Sequence, residues 1–420
     1  MVAGLAIVVG ALMLLRRPSA VTFVITSDTE GLLIPCGCRT VPAGGLARRQ
    51  ALLDNVRRTA KENMVIPVEL ANGFSTRATA RELLNKEVGD YFSRNGYLVG
   101  VGGYDLELGI EKLRALSAKS RFFLAGQKSL EPGESLRLGG WGLGAIGDKG
   151  ALLRVVFLSQ TPPGGATLPD PLETFREERK KHPADGFVIF GSIAPETVAA
   201  LHAEFPDLIA VVATWQADVT TMPQRAGDTW VVFNGDKGRR YTNLEIRWNG
   251  RRFEAWPEGG YLGPEAPSDP AVQAEVQKVL DQARAIDQSA LDKLRGAVKS
   301  ARSYVGSAAC ASCHQDAHKS WSLSRHAKAY EDLKIDHGEM DPACLACHVT
   351  GLGSDSLPAS EKLPFIQGVG CEACHGPGGG HPKAAMEKGE VSAAACGRCH
   401  TQRDSPMFNA EGYWKLIGHK

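Results

Sequence analysis

Four times after residue 309 the chain reads Cys-x-x-Cys-His: Cys310-Ala-Ser-Cys313-His314, Cys344-Leu-Ala-Cys347-His348, Cys371-Glu-Ala-Cys374-His375 and Cys396-Gly-Arg-Cys399-His400. No other feature restricts the fold as strongly. Two thiols separated by two residues reach the two vinyl groups of one porphyrin and form thioethers. The next residue then lies under the ring, where its imidazole ligates the iron. This is the attachment signature of c-type haem. Paired CxxC units also build zinc ribbons or, in an oxidising compartment, disulfides. Neither requires His in the fifth position. With 11 His in 420 residues, four such coincidences have a probability on the order of one in a million. The spacing predicts four c-type haems, anchored by Cys310, Cys313, Cys344, Cys347, Cys371, Cys374, Cys396 and Cys399. His314, His348, His375 and His400 are the expected proximal ligands.

Four haems in residues 303–420 leave roughly 30 residues for each, too few to bury a conventional side-chain core. The porphyrins are expected to form much of the interior, so that this segment does not fold without them. His182 and His202 lie in the earlier part of the chain and read as surface residues. Five His then remain for four distal positions: His318, His326, His337, His381 and His419. That count suits mostly bis-histidine iron, which favours electron transfer over chemistry on a substrate. His318, four residues after His314, falls on the same helical side as that proximal ligand and cannot close the far face of the same haem. Met340, Met386 and Met407 are alternative ligands, less favoured because His is abundant.

The words around these motifs carry a family resemblance. Trp321, Ser324 and His326-Ala327 follow the first motif; His348-Val-Thr-Gly351 closes the second; Gly368-Val-Gly precedes Cys371, and His375-Gly-Pro-Gly leads to His381. Together they resemble the multihaem cytochrome c-554 family over nearly all of 303–420. The resemblance implies tetrahaem electron transfer, with His326 and His381 as distal ligands. The ending Phe408…Tyr413-Trp414…Ile417…His419 also resembles family members and makes His419 a third distal candidate, with His337 the fourth. It further implies that one haem is sometimes five-coordinate.

Residues 21–260 have a different texture. Apolar, β-rich runs recur at 21–26, 64–70, 97–103, 121–126, 152–159, 186–192, 207–214 and 229–235, with helical patterns between several of them. Such alternation predicts a layered α/β domain. Residues 241–256 read as a closing hairpin around Asn249-Gly250. Residues 261–302 read as a linker followed by a long amphipathic connector helix or helix pair over 271–302. The fold class expected is thus a layered α/β domain followed by a mainly α, haem-packed domain.

The opening Asp28-Thr-Glu30-Gly31 with Gly44-Gly45-Leu-Ala-Arg-Arg49, and Gly102-Gly103-Tyr104-Asp105 further on, resemble periplasmic 5′-nucleotidases, which are two-metal phosphoesterases. The resemblance implies their metallophosphoesterase-like fold. It also exposes departures. Glu30, Asn72-Gly73, Gly103-Tyr104, Ser192 and Thr214-Trp215-Gln216 stand where metal ligands are expected, so a two-metal cage of Asp, His and Asn is not assembled. Phosphoesterase activity is not expected. Cys36-Gly-Cys38 is a further pair without a settled role. A strained, reducible disulfide and a redox or metal-binding pair serving the haems both suit it.

Residues 1–20 contain an apolar run of about 14 residues, roughly 21 Å as a helix against a bilayer core of about 30 Å. This reads as an export signal or an N-terminal membrane anchor. Arg16 and Arg17 follow the run and no positive charge precedes it, contrary to an export signal. Haem c is attached outside the cytoplasm, and that argument prevails: the expectation is a periplasmic, exported protein, tethered to the inner membrane if the run is retained. A net charge of +1 gives no electrostatic ground for nucleic acid as a partner, and redox proteins of the envelope are expected instead. An alternative is a multihaem oxidoreductase acting on a small nitrogen or sulfur compound at one open haem. A third reading makes the α/β domain a module that captures a partner or nucleotide.

Overall fold

The computed structural model describes residues 18–417, apart from 36–41, 61–62, 117–120, 140, 144–145, 149, 163–164, 216–221, 236, 336–337, 382, 384–390, 402–404 and 406–407. The chain divides into two units. The first takes residues up to 276, and the second takes the remainder together with the stretch 77–83.

The first unit is built on two six-stranded sheets. One is centred on β1 (Ala20–Thr26), which pairs in parallel with β2 (Met64–Glu69), followed by β3 (Leu98–Gly100) and β4 (Arg121–Phe123). On its other side β1 pairs antiparallel with β13 (Arg240–Trp248), which forms a hairpin with β14 (Phe253–Tyr261). The second sheet has the order β11-β12-β10-β9-β8-β5, from Gln224–Ala226, Thr229–Phe233, Ala210–Thr214, Gly186–Ser192, Ala151–Ser159 and Gly133–Leu138. Strands β6 (Trp141–Leu143) and β7 (Ile146–Asp148) pair only with each other. Residues of β1, β8, β9 and β10 are buried along their whole length, apart from Leu152 in β8, which is half-buried. Near-continuous apolar strands are what sheets covered on both faces require. Phe23 from one sheet meets Phe190 from the other edge to face, with ring centroids 5.3 Å apart. Both belong to one apolar cluster that joins the two sheets. A second cluster lies on the outer face of the second sheet and includes Phe175, Val198 and Leu201 from helices α4 (Pro171–Lys181) and α5 (Pro195–Glu204).

The sequence reading of layered α/β architecture holds, and each of the eight expected runs contains a strand. Strand β5 lies outside those runs. Its sequence, Gly-Glu-Ser-Leu-Arg-Leu, is half polar because β5 lies at the sheet edge, with β8 alone as its partner. At the hairpin, Asn249 accepts the N–H groups of Arg251 and Arg252 on its side chain, and Gly250 takes φ +95°.

Helix α1 (Leu46–Thr59) begins where two glycines, Gly44 and Gly45, both adopt positive φ. Any Cβ on Gly45 would lie 2.8 Å from the backbone N of Pro35. This tight entry delivers Arg49 into the interior. Arg49 is 1% exposed, lies 3.2 Å from Glu69 Oε2 and donates to Thr29 Oγ1 at 2.9 Å. Glu69, at the end of β2, also accepts the N–H and hydroxyl of Thr29 and the hydroxyl of Thr26. The ion pair thereby ties the loop after β1 to β2.

The second unit is mainly helical. Helix α6 (Pro270–Leu294), one continuous helix rather than a pair, runs out of the first unit at residue 276 and enters the second. Short helices follow: α7 (Ser307–Cys310), α8 (Gln315–Leu323), α9 (Ala329–Ile335), α10 (Pro342–His348), α11 (Cys371–His375) and α12 (Ala410–Ile417). The apolar cluster among the described residues of this unit is small, with Leu291, Tyr330, Leu333, Leu345, Val349 and Phe365 at its centre. No helix among the described residues is long and apolar enough to cross a membrane. Most of the expected signal or anchor, residues 1–17, lies outside the described residues.

Replacing Arg49 by Met leaves Glu69 buried without its cation, which typically costs about 3–5 kcal/mol. Urea unfolding of the Arg49→Met variant should show a loss of that order. A loss below about 1 kcal/mol would mean that the pair does not hold the loop.

Candidate functional site

Each Cys-x-x-Cys-His word forms a single helical turn, and its neighbours explain how the turns are held. In the first, His314 donates its backbone N–H to Cys310 O at 2.9 Å. In the fourth, His400 does the same to Cys396 O at 2.9 Å. The second is α10. Asp341 caps it by accepting the N–H of Ala343 at 2.9 Å, with Pro342 in the first turn, an arrangement that starts a helix with no lost donor. The third is α11, and its internal residue Glu372 is 3% exposed. Glu372 accepts the N–H groups of Val305, Gly306 and Gly378 at 2.9, 2.8 and 2.7 Å. Cys371 N–H reaches Ser307 Oγ at 3.1 Å. The first and third motifs are therefore knitted together. Arg398 in the fourth donates to Ala373 O in the third at 3.0 Å.

None of the eight thiols forms a disulfide, and each is half-buried or exposed. Several lie close to thiols of other motifs. Burial, and then Cys371, push the Cys310 thiol up to about 11. The neighbouring Cys347 thiol and burial push Cys399 up. Among the described residues, no group of three or more His, Cys, Asp or Glu is arranged to hold a metal ion.

Imidazoles come in pairs instead. The rings of His314 and His381 have centroids 6.1 Å apart, and those of His326 and His400 are 6.0 Å apart. Two metal–nitrogen bonds of about 2 Å, with the ring radius added on both sides, place the centroids of two imidazoles on one metal about 6 Å apart. Two expected proximal ligands thus each lie opposite one expected distal ligand at the separation that one iron requires. His348 Nδ1 lies 2.9 Å from Ala329 O, and His400 Nδ1 lies 3.0 Å from Ser405 Oγ. Such bonds fix ring orientation and leave Nε2 for the metal. Phe408 stacks on His400, with centroids 4.4 Å apart. Burial first, with His400 for His326 and His348 for His400, holds both pKa values below the ordinary imidazole range. A neutral ring is the form that ligates. These residues fit haem iron.

The flanking words have structural roles. Trp321 donates its indole N–H to Val369 O at 2.8 Å, and Val369 N–H returns to His326 O at 2.9 Å. This places His326 beside the third motif. Gly368 takes φ +80°, and any Cβ there would meet Ala327 O at 2.8 Å. His318 packs beside the Trp321 ring at 5.4 Å. Met340 packs against the apolar cluster. His375 is half-buried within α11. The candidates His337, His419, Met386 and Met407, and the pair Cys36 and Cys38, lie outside the described residues.

Sequence reasoning did not find Asp341 or Glu372. Asp-Pro before an apolar turn is a helix-start signal that was open to reading. A Glu inside CxxCH carries no such signal.

In the first unit, the residues at the expected metal positions bond to one another. Asp28 Oδ1 accepts from Asn72 Nδ2 at 2.9 Å, and the hydroxyl of Thr214 donates to Asp28 Oδ2. Asp105 accepts the backbone N–H groups of Asn72, Phe74 and Gly102 at 2.7, 3.2 and 2.9 Å. Asp28, Glu30 and Asn72 all have φ near +50°, conformations rare outside Gly. Strained backbone of this kind is characteristic of functional loops, and here it surrounds a hydrogen-bond network in which Asn72 Oδ1 has no partner. Burial pushes Asp28 up to about 7 against the bonds from Thr214 and Asn72. Asp105 is likewise pushed up to about 7 by burial, against its three N–H donors.

Residues 309–376 match the family model described as "Cytochrome c554 and c-prime". That stretch is cytochrome c-554-like. It contains three of the four motifs; the fourth motif and His381 lie beyond it. Cytochrome c-554 of Nitrosomonas europaea is 38% identical over 107 residues, covering 20% of this chain and 46% of that protein. The chain therefore spans about half the length of the curated relative it matches. Among solved structures, a 5′-nucleotidase precursor from Thermus thermophilus is 18% identical with a TM-score of 0.51, covering 63% of this chain and 59% of that one. Haemophilus influenzae NAD nucleotidase is 11% identical with a TM-score of 0.52, covering 68% and 63%. At these identities the likeness is one of fold: the α/β part has the layered architecture of metallophosphoesterases, joined to a cytochrome-like segment.

The raised pKa of Asp28 has a thermodynamic consequence. Its folded value of about 7 lies above the ordinary 3.8, so the folded chain binds more protons between these values than the unfolded chain does. The stability of the first unit should fall as pH rises from about 4 to about 7, by up to about 1.4 kcal/mol per pH unit for this group. Thermal unfolding from pH 5 to 8 should show that decline, and Asp28→Asn should reduce its slope. An unchanged slope would mean that Asp28 is ionised throughout.

Proposed function

We propose that this chain is an exported electron-transfer protein of the bacterial cell envelope, carrying four covalent c-type haems on a phosphoesterase-like scaffold that is catalytically inactive. The pairing of His314 with His381 and of His326 with His400, each at about 6 Å, carries the reading. Haem supplies a one-electron iron couple whose potential follows ligation, burial and nearby charge. The protein supplies the rest. Eight cysteines tether the four porphyrins, and His314, His348, His375 and His400 hold the irons from one side. His326 and His381 close two of them from the other, and His337 and His419 are candidates for the remaining two. Filling both axial positions excludes substrate from the iron and leaves electron exchange as the available chemistry.

The knitting of the first, third and fourth motifs through Glu372, Ser307 and Arg398 keeps these anchors in one body. Haems held by these anchors would supply one-electron exchange without large motion of the chain. The partners are redox proteins of the envelope. The haem propionates make the loaded domain more acidic than its sequence, which favours docking on basic faces. Haem attachment requires export, and the apolar N-terminal run serves as signal or inner-membrane tether. In the first unit, the loss of metal-ligating His and the mutual bonding of Asp28, Asn72 and Thr214 leave the domain as a scaffold.

A pyridine haemochrome assay should give four haems per chain, and three after replacement of Cys396 and Cys399 by Ala. Fewer than four in the unmodified protein overturns the reading. Replacing His326 by Ala opens one axial position, so the reduced variant should bind one more CO per chain than the parent, seen in the difference spectrum. Equal CO binding by the two would show that His326 is not a ligand.

A further inference from the structure

Helix α6 carries one side chain that its apolar pattern does not explain. Asp287 lies one turn before the fully buried Leu291 and is only 8% exposed. Its Oδ1 has no hydrogen-bond partner. The charge that bears on it is Asp341, itself 6% exposed.

The two carboxyl groups are differently served. Asp341 Oδ1 accepts the Thr79 hydroxyl at 2.5 Å and the Ala343 N–H at 2.9 Å, and both of its oxygens lie 3.3 Å from Thr79 N. It also stands at the positive end of α10. Asp341 is thus well supplied with donors, whereas Asp287 Oδ1 has none. A buried carboxyl group that has another beside it and lacks donors favours its neutral form. That group is Asp287. Burial, and then the field of Asp341, push it up to about 7.

The pair stands beside a haem anchor. Asp341 Oδ2 lies 3.8 Å from Cys344 Sγ, one of the two sulfurs of the second motif. Arg284 on the same helix lies 3.9 Å from Asp281, Lys334 is 2.8 Å from Glu331, and Arg325 is 3.9 Å from Asp332.

We propose that Asp287 is the proton partner of the haem carried by Cys344 and Cys347. When that haem accepts one electron from a one-electron donor, the Asp287 carboxylate takes one proton from solvent and becomes the acid. On reoxidation it releases the proton. Iron(III) becomes iron(II), –COO⁻ becomes –COOH, and the net charge of the buried site is unchanged. The inference rests on the haem reading above. Asp341 acts through Asp287 and is a positioning residue.

The test uses the full, haem-loaded chain. A haemochrome count and the spectrum first establish that all four motifs are filled. Potentiometric titration is then run from pH 5.5 to 8.5. One midpoint should fall with rising pH around neutrality, approaching the limit of about 59 mV per pH unit for one proton per electron, a tenfold change in equilibrium constant per unit. In Asp287→Asn, that slope should disappear while the other three midpoints and the spectrum stay as they were. Asp341→Asn keeps the helix cap but removes the charge that raises Asp287, so its pH-dependent window should move to lower pH. A full haem count with an unchanged slope in Asp287→Asn overturns the proposal alone. A count that leaves Cys344 and Cys347 unmodified overturns it together with the haem reading.

Discussion

In both units, the loops that bear on function are held by buried carboxylates that accept backbone N–H groups. Glu69 holds the turn after β1, and Asp105 gathers the ends of β2 and β3 through three N–H groups. Glu372 binds three N–H groups across the first and third haem motifs, and Asp341 caps the second. A buried N–H without an acceptor costs about as much as a lost hydrogen bond. An ionised acceptor makes a stronger bond than a neutral one. These side chains fix irregular backbone where regular ladders cannot reach it. They matter most in the second unit, whose described apolar cluster is small.

The same device has different consequences in the two units. In the first, side chains at the strand ends bond to one another. Asn72 and Thr214 bind Asp28 where a phosphoesterase would present metal ligands. The backbone at Asp28, Glu30 and Asn72 takes positive φ around these bonds. In the second unit, the carboxylates hold the motif turns by their backbone and leave the imidazoles to face one another in pairs.

The helix that links the two parts of the sequence contributes more than a connection. Leu291 joins the apolar cluster of the second unit, and Asp287 places a second carboxyl group near Asp341. A charged residue on a buried helical face is costly unless paired. Its presence there calls for a role, and its position near a haem anchor suggests which one.

Much of this was legible in the chain itself. CxxCH is a local covalent code, so the expectation of four haems and of their proximal ligands follows from spacing alone. The eight apolar runs of the α/β part were equally legible, because sheets buried on both faces leave little choice of residue. The polar edge strand β5 was not, since an edge needs no apolar signature. Nor were Glu372 and Asp341 visible as organisers, because their partners are backbone groups up to 67 residues away for Glu372 and, for Asp341, include Thr79, 262 residues away. Which distal His faces which proximal His was likewise decided only by the tertiary structure: His381 is 67 residues from His314 and His400 is 74 from His326. Sequence determines ligand type, because coordination chemistry is local. Ligand pairing is a matter of distance in space, and only packing sets that.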